Sequence, residues 1–152
     1  MKLTILFAVL LFSYVRLNAQ SSNKEYDSVL AKKLNADNYG MKKYHLVILK
    51  TGPAGITDTA RLDSIFSGHM KNIQWLASQN KLVAAGPLGK NDNKYEGIFI
   101  LNTESKTEAE KMLETDTAVK LKVLTAEYYL LYSSAALQQI AEIHKKIEKT
   151  HF

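Results

Sequence analysis

The order of apolar segments along the chain is the feature that most restricts its fold. Four short runs rich in Leu, Ile, Val and Tyr have the length of β-strands, at residues 44–49, 81–85, 95–101 and 125–132. Between the first two runs, the apolar side chains of residues 60–79 recur every three or four positions, as in an amphipathic helix. A shorter stretch of the same kind separates the third run from the fourth. The sequence therefore predicts the order β-α-β-β-α-β.

Further amphipathic helices are predicted at both ends, over residues 24–35 and 135–149. With right-handed crossovers the central order predicts an α+β fold, a ferredoxin-like βαββαβ sheet with its helices on one face. The last strand carries Tyr and Leu on both of its sides, so the other sheet face would also be apolar. We therefore predict a homodimer in which two sheets stack on each other.

The first residues have the pattern of a secretory signal peptide. Lys2 precedes a mostly apolar run from Leu3 to Val15, and Ala19 supplies a small side chain before a polar junction. The run is too short for a membrane-spanning helix of roughly 20 apolar residues, because Arg16 interrupts it. We predict cleavage after Ala19 or Gln20, export to the periplasm or the medium, and no membrane span in the mature chain.

Composition narrows the classes of function. The chain has no Cys, which excludes disulfides, thiolate zinc sites, Cys nucleophiles and a lipoprotein anchor. Its formal charge of +5 includes Lys2 and Arg16, so loss of the signal leaves +3. The lysines are dispersed among acidic residues, unlike the clustered basic face of a nucleic-acid-binding protein. The chain divides into a signal peptide (1–20), a polar linker with a short helix (21–40), a main domain (41–132) and a C-terminal helix (133–152).

Several motifs of the main domain resemble the YCII-related family. They are a helical His69-Met70, the segment Asn80 to Leu88 with its Ala-Gly-Pro turn, the strand Gly97 to Leu101, and Asp116 followed by Ala118-Val119-Lys120. The family usually has Pro after the Asp, where this chain has Thr117. The resemblance covers residues 41–132. It implies a dimeric α+β barrel fold and an active site that contains His69 and Asp116.

His69 lies on the apolar stripe of the first main-domain helix and therefore faces the sheet. It is either a buried neutral His satisfied by its neighbours, or an acid/base group that needs a carboxylate partner. In this topology both helices run the same way, which puts Asp116 level with the end of the first helix. At 1.5 Å per residue that is roughly 16 Å from His69, too far for a hydrogen bond unless the helices are offset. A cap for the turn before Ala118 is the other role open to Asp116.

Asp92 is the alternative carboxylate, because its loop should lie at the same sheet end as the start of the first helix. Gly86 and Pro87 predict a tight turn and are candidates for the mouth of a binding pocket near His69. The spacing of His45, His69 and His144 matches no metal-ligand motif, so no metal site is predicted.

Two classes of function remain open. One is an enzyme without a cofactor, in which His69 transfers a proton during an isomerisation, elimination or lactone-type reaction of a small organic substrate. The other is a noncatalytic dimer that binds a small molecule or takes part in envelope interactions. A His69 that meets both a carboxylate and an open cavity would favour the enzyme.

Overall fold

A computed structural model describes residues 23–150; the predicted signal peptide lies outside this range. The strands are β1 (Met41–Thr51), β2 (Leu82–Pro87), β3 (Tyr95–Leu101) and β4 (Leu124–Ser134). The helices are α1 (Ser28–Lys33), α2 (Thr59–Ser78), α3 (Lys106–Glu114), α4 (Thr117–Lys120) and α5 (Ile140–Ile147), with a 3₁₀ helix over Ala135–Gln139. Within the described residues no helix has the length and apolarity to cross a membrane.

The strands form one antiparallel sheet in the order β2-β3-β1-β4. Val47 at the centre of β1 pairs with Phe99 of β3 and Tyr128 of β4, so these three side chains share a face. Helices α2, α3 and α4 pack on this face, which we call the helix face. The predicted ferredoxin-like α+β fold with additional terminal helices is confirmed.

The hydrophobic core lies between the helix face and α2, α3 and α4. Val47, Phe99, Leu76 and Leu113 are almost fully buried there. Ser105 caps the start of α3, since its hydroxyl accepts from the Glu108 N–H. The Glu108 carboxylate accepts from the Thr103 hydroxyl and not from the Ser105 N–H, so a reciprocal capping box is not formed. The core thus holds the helices against the two central strands.

Helix α2 ends within one residue of the predicted limit at residue 79, and Asn80 follows it with a left-handed φ of 55°. The predicted turn at Gly86-Pro87 is wrong. Both residues belong to β2, where Gly86 pairs with Ile98 and Pro87 pairs with Gly97. Pro is tolerated there because β2 is an edge strand, where a missing N–H breaks no ladder on the free side.

The terminal helices differ from their predicted lengths. The N-terminal helix begins only after Asp27, whose carboxylate accepts from the first backbone N–H groups, and Asn35 at φ 50° follows its end. The predicted C-terminal helix is divided into the 3₁₀ helix and α5. Ser134 caps the 3₁₀ segment by accepting from the Ala136 N–H, at the start that the sequence predicts.

The sheet surface opposite the helix face is only partly covered. At one end the 3₁₀ helix lies over it, and Tyr44 is fully buried with its hydroxyl donating to the Ser134 carbonyl. The expectation that no helix of the chain covers this surface is therefore wrong at that end. Elsewhere an apolar group remains partly exposed, which we call the open face; it consists of Leu46, Ile48, Ile98, Ile100, Tyr129 and Leu131.

Candidate functional site

Helix α2 places His69 against the sheet, next to the buried carboxylate of Asp116. The ring is 9% exposed, and its Nδ1 lies 2.7 Å from Oδ2 of the fully buried Asp116. The ring also stacks on Phe99 at 5.7 Å between centroids and meets Phe66 edge-on at 6.0 Å. Two aromatic neighbours and one carboxylate therefore fix the orientation of the imidazole.

The expected distance of roughly 16 Å between His69 and Asp116 is wrong. The reason is that α3 has nine residues whereas α2 has 20, so the chain leaves α3 beside the middle of α2. The short helix α4 then packs against α2. Gly68 permits this approach, because a Cβ there would lie 2.2 Å from Oγ1 of Thr117. The helices are offset, and the residues that the family resemblance selects are in contact.

Asp116 also performs the second role considered for it. Its Oδ1 accepts from the backbone N–H groups of Ala118, at 3.0 Å, and Val119, at 3.2 Å, and so caps the start of α4. Its Oδ2 is directed at His69. One carboxylate therefore caps a helix and orients a histidine.

Two further polar residues complete the cluster, and sequence reasoning missed both. The amide nitrogen of Asn72 lies 3.4 Å from Oδ2 of Asp116, and the hydroxyl of Thr115 donates to Oδ1 of Asn72 at 2.9 Å. Asn72 is 6% exposed and lies three residues after His69, on the same side of α2. An amide on an otherwise buried helix stripe was the available signal.

The arrangement determines which nitrogen of His69 can react. Carboxylate oxygens only accept, so Nδ1 is the nitrogen that carries hydrogen in the contact with Asp116. In the neutral ring the lone pair is then on Nε2, which has no hydrogen-bond partner among residues 23–150. No fully buried polar side-chain atom in that range lacks a partner, and the side chain of His69 is 11% exposed. Nε2 therefore keeps access to solvent and can exchange a proton there.

Tyr128 shows the electrostatic character of this region. Burial raises the pKa of its hydroxyl to about 12, and the negative charges of Glu110, Asp116 and Glu114 act in the same direction. The hydroxyl stays neutral at physiological pH.

The structure brings together only some of the residues singled out in the sequence. Asp92 is exposed in the loop between β2 and β3 and has no hydrogen bond to His69. Pro87 shares the helix face with Phe99, whereas Gly86 is on the opposite face. The carboxylate next to His69 is therefore Asp116.

Two cavities lie away from His69, and residues 23–150 form no metal-binding group. Two cavities, of about 480 and 370 Å³, are lined by residues around Lys42 and around Tyr95, and neither includes His69. In the part of the chain that the structure describes, no group of three or more His, Asp or Glu side chains is placed to hold a metal ion.

Comparison with solved structures gives weak similarities, among them one to an enzyme. The chain is similar to the 5-chloro-2-hydroxyhydroquinone dehydrochlorinase from Burkholderia phenoliruptrix, solved in complex with 2,5-dihydroxybenzoquinone, at 21% identity and a TM-score of 0.38. The match covers 59% of this chain and 90% of that chain. No protein-family model and no curated protein matches the sequence. The assignment of the fold rests on the strand order and helix placement described above.

Proposed function

We propose that His69 and Asp116 form a general acid/base pair, and that the chain is a YCII-like enzyme that works without a cofactor on a small organic substrate. The observation that carries the proposal is the 2.7 Å contact between Nδ1 of His69 and the buried carboxylate of Asp116. This contact leaves Nε2 as the reactive nitrogen. YCII-like membership is supported by the resemblance of residues 41–132 and by the contact between the two residues that it selects.

The proposed reaction is a proton transfer. Nε2 of His69 removes a proton from an acidic position of the substrate, and the resulting imidazolium is stabilised by Asp116. In an isomerisation the proton returns to another atom of the same molecule; in an elimination it leaves with the departing group or to water. Phe66, 40% exposed and in edge contact with the ring, offers an apolar surface beside the imidazole. A flat, partly apolar substrate suits that surface.

Two parts of the proposal concern context. We propose that the protein is exported, on the basis of the apolar run and the small residue at Ala19, and that two copies stack through the open face. Amino-terminal sequencing of protein recovered outside the cytoplasm tests the first part. A chain that still begins at Met1 and remains in the membrane fraction would contradict it.

The second candidate function is a noncatalytic, dimeric small-molecule binder or envelope interaction protein. The observation in its favour is that His69 is packed between Phe66 and Phe99 while the two described cavities lie away from it. In that case the contact with Asp116 would serve packing and helix capping alone.

The test uses a reaction that needs only a general base. 5-Nitrobenzisoxazole undergoes an elimination in which a base removes the ring C–H proton while the N–O bond breaks and a coloured phenolate forms. We expect the protein to exceed an equal concentration of free imidazole, and His69→Ala to lower the rate by about 10²-fold or more. His144→Ala is the matched control, because His144 lies on α5 and its side chain is 54% exposed. Equal rates for wild type and His69→Ala would reject catalysis by this residue.

Nitrogen-15 NMR of the imidazole provides a second test that needs no substrate. We expect the Nδ1–H tautomer of His69 in the wild type. Asp116→Asn places an amide at the same site, and an amide N–H donating to Nδ1 would favour the opposite tautomer. A wild-type ring protonated at Nε2 would contradict the assignment of Nε2 as the base.

A further inference from the structure

We infer that Asn72 is a positioning residue for the His69–Asp116 pair and that Thr115 fixes the orientation of its amide. The inference rests on the proposed function of His69. The chemical basis is a chain of hydrogen bonds that runs from the Thr115 hydroxyl through the Asn72 amide to Oδ2 of Asp116 and on to Nδ1 of His69.

The direction of each hydrogen bond follows from what the groups can donate. Oδ1 of Asn72 accepts from the Thr115 hydroxyl at 2.9 Å, shorter than the 3.4 Å from that hydroxyl to the Met112 carbonyl. With Oδ1 so engaged, the NH₂ group of the amide is turned toward Asp116. A flipped amide would direct an oxygen at the carboxylate, which has nothing to donate. The carboxylate of Asp116, which can only accept, therefore selects this amide orientation, and the Thr115 hydroxyl holds it by donating to Oδ1.

The effect on Asp116 is to hold the oxygen that contacts His69. Its other oxygen is held by the backbone N–H groups of Ala118 and Val119, so that side of the carboxylate is fixed by α4. Oδ2 has two donors, His69 and Asn72. When the proposed reaction adds a proton to the ring, the imidazolium must find Oδ2 in place without rearrangement. Asn72 supplies the donor that keeps it there throughout the cycle.

The chemistry of Asn72 itself supports a specific role. Asn is an unfavourable residue inside a helix, and a buried amide is costly unless it is hydrogen-bonded. Asn72 nevertheless lies in the middle of α2 and is 6% exposed. Both of its amide groups are bonded to the segment that carries Asp116, at 3.4 Å and 2.9 Å. A Leu of similar volume would serve packing equally well, so packing alone does not account for the amide.

The experiment compares Asn72→Leu, which removes the amide at similar volume, with Thr115→Val and Thr115→Ser. Thr115 is exposed, so Val replaces its hydroxyl at little risk to folding, and Ser restores the hydroxyl. The first readout is the Nδ1–H proton resonance of His69, whose exchange with water slows when a fixed carboxylate accepts it. The second is kcat and KM for 5-nitrobenzisoxazole.

We expect Asn72→Leu and Thr115→Val to speed Nδ1–H exchange about tenfold and to lower kcat about tenfold, with KM unchanged. This loss of kcat is smaller than the ~10²-fold loss that follows a 1 Å misplacement of a catalytic group. Thr115→Ser should behave as wild type. If wild-type exchange and kcat persist in Asn72→Leu, Asn72 does not position Asp116, whatever His69 does; if they persist in Thr115→Val, Thr115 does not fix the amide. If Nδ1–H exchange becomes faster in these variants but His69→Ala does not slow the elimination, the positioning role stands and the proposed function fails. Should Asn72→Leu not fold, Thr115→Val alone decides.

Discussion

The contact between α2 and α4 at Gly68 makes a sharp prediction about stability. Gly68→Ala adds a Cβ that would lie 2.2 Å from Oγ1 and 2.9 Å from Cβ of Thr117. Rotation of the Thr117 side chain removes the first clash and leaves the second, because Cβ does not move with the rotamer. Helices α2 and α4 must therefore separate, and this displacement lengthens the neighbouring contact between His69 and Asp116.

The expected magnitude is the difference between two opposing effects. Ala is favoured over Gly inside a helix by about 1 kcal/mol. Overpacking in a close contact costs about 1–3 kcal/mol, and loosening the hydrogen bond of a buried pair adds about 1 kcal/mol. We expect Gly68→Ala to lower the free energy of unfolding by about 1–3 kcal/mol, where helix propensity alone would raise it.

Urea unfolding followed by circular dichroism measures this difference, with Ser67→Ala, an exposed neighbour on the same helix, as the control. The same substitution in a Thr117→Gly background tests whether the clash with Thr117 is the cause. In Thr117→Gly the opposing Cβ is gone, so Gly68→Ala should change sign and stabilise the protein by about 1 kcal/mol. An increase in stability in the wild-type background would refute the steric reasoning.

Two further predictions concern the sheet. The Tyr128 hydroxyl has its pKa raised to about 12 by burial and nearby carboxylates, while the unfolded chain ionises near 10, so stability should fall between pH 10 and 12. Because the ring is partly exposed, we expect this group to contribute a loss of about 1 kcal/mol of unfolding free energy per pH unit. In urea titrations at pH 9–11.5, Tyr128→Phe should lose stability less steeply with pH than the wild type. Equal slopes of unfolding free energy against pH would contradict this prediction. Ile98→Glu introduces a charge on the open face, away from the 3₁₀ helix, and should convert a dimer to a folded monomer. Light scattering measures this change. A wild-type protein that is monomeric at micromolar concentration would remove the basis of the prediction.

Much of the fold was accessible from the sequence because it depends on local patterns. Strand-length apolar runs and the helix period of residues 60–79 predict the order of strands and helices. Because crossover connections are right-handed, few sheet topologies are compatible with that order. The predicted helix over residues 60–79 and the observed α2 differ by one residue at each end. The errors fall at Gly86-Pro87, where an edge strand extends further than the local pattern shows, and at the terminal helices, whose lengths and 3₁₀ segment the apolar period does not reveal.

The candidate site was only half accessible. The family resemblance selected His69 and Asp116, whereas distance reasoning with parallel helices of similar length placed them far apart. That reasoning failed because the four residues of α4 are too few to show a helix period, and because the approach at Gly68 depends on a residue nearly fifty positions away. Asn72 was missed because an isolated amide does not reveal which distant group it bonds.

The two roles of Asp116 restrict how this position can vary over evolutionary time. Glu is longer by one methylene, so it could not reach the α4 backbone and His69 from the same main-chain position. Asn retains an oxygen for the cap but presents an N–H to the ring, and Ser or Thr can cap without reaching His69. Of the common amino acids only Asp meets both demands, so drift at this site would cost the start of a helix as well as the orientation of the imidazole. Diversification of such a scaffold would therefore be expected in the side chains around Nε2, with the carboxylate held constant beneath them.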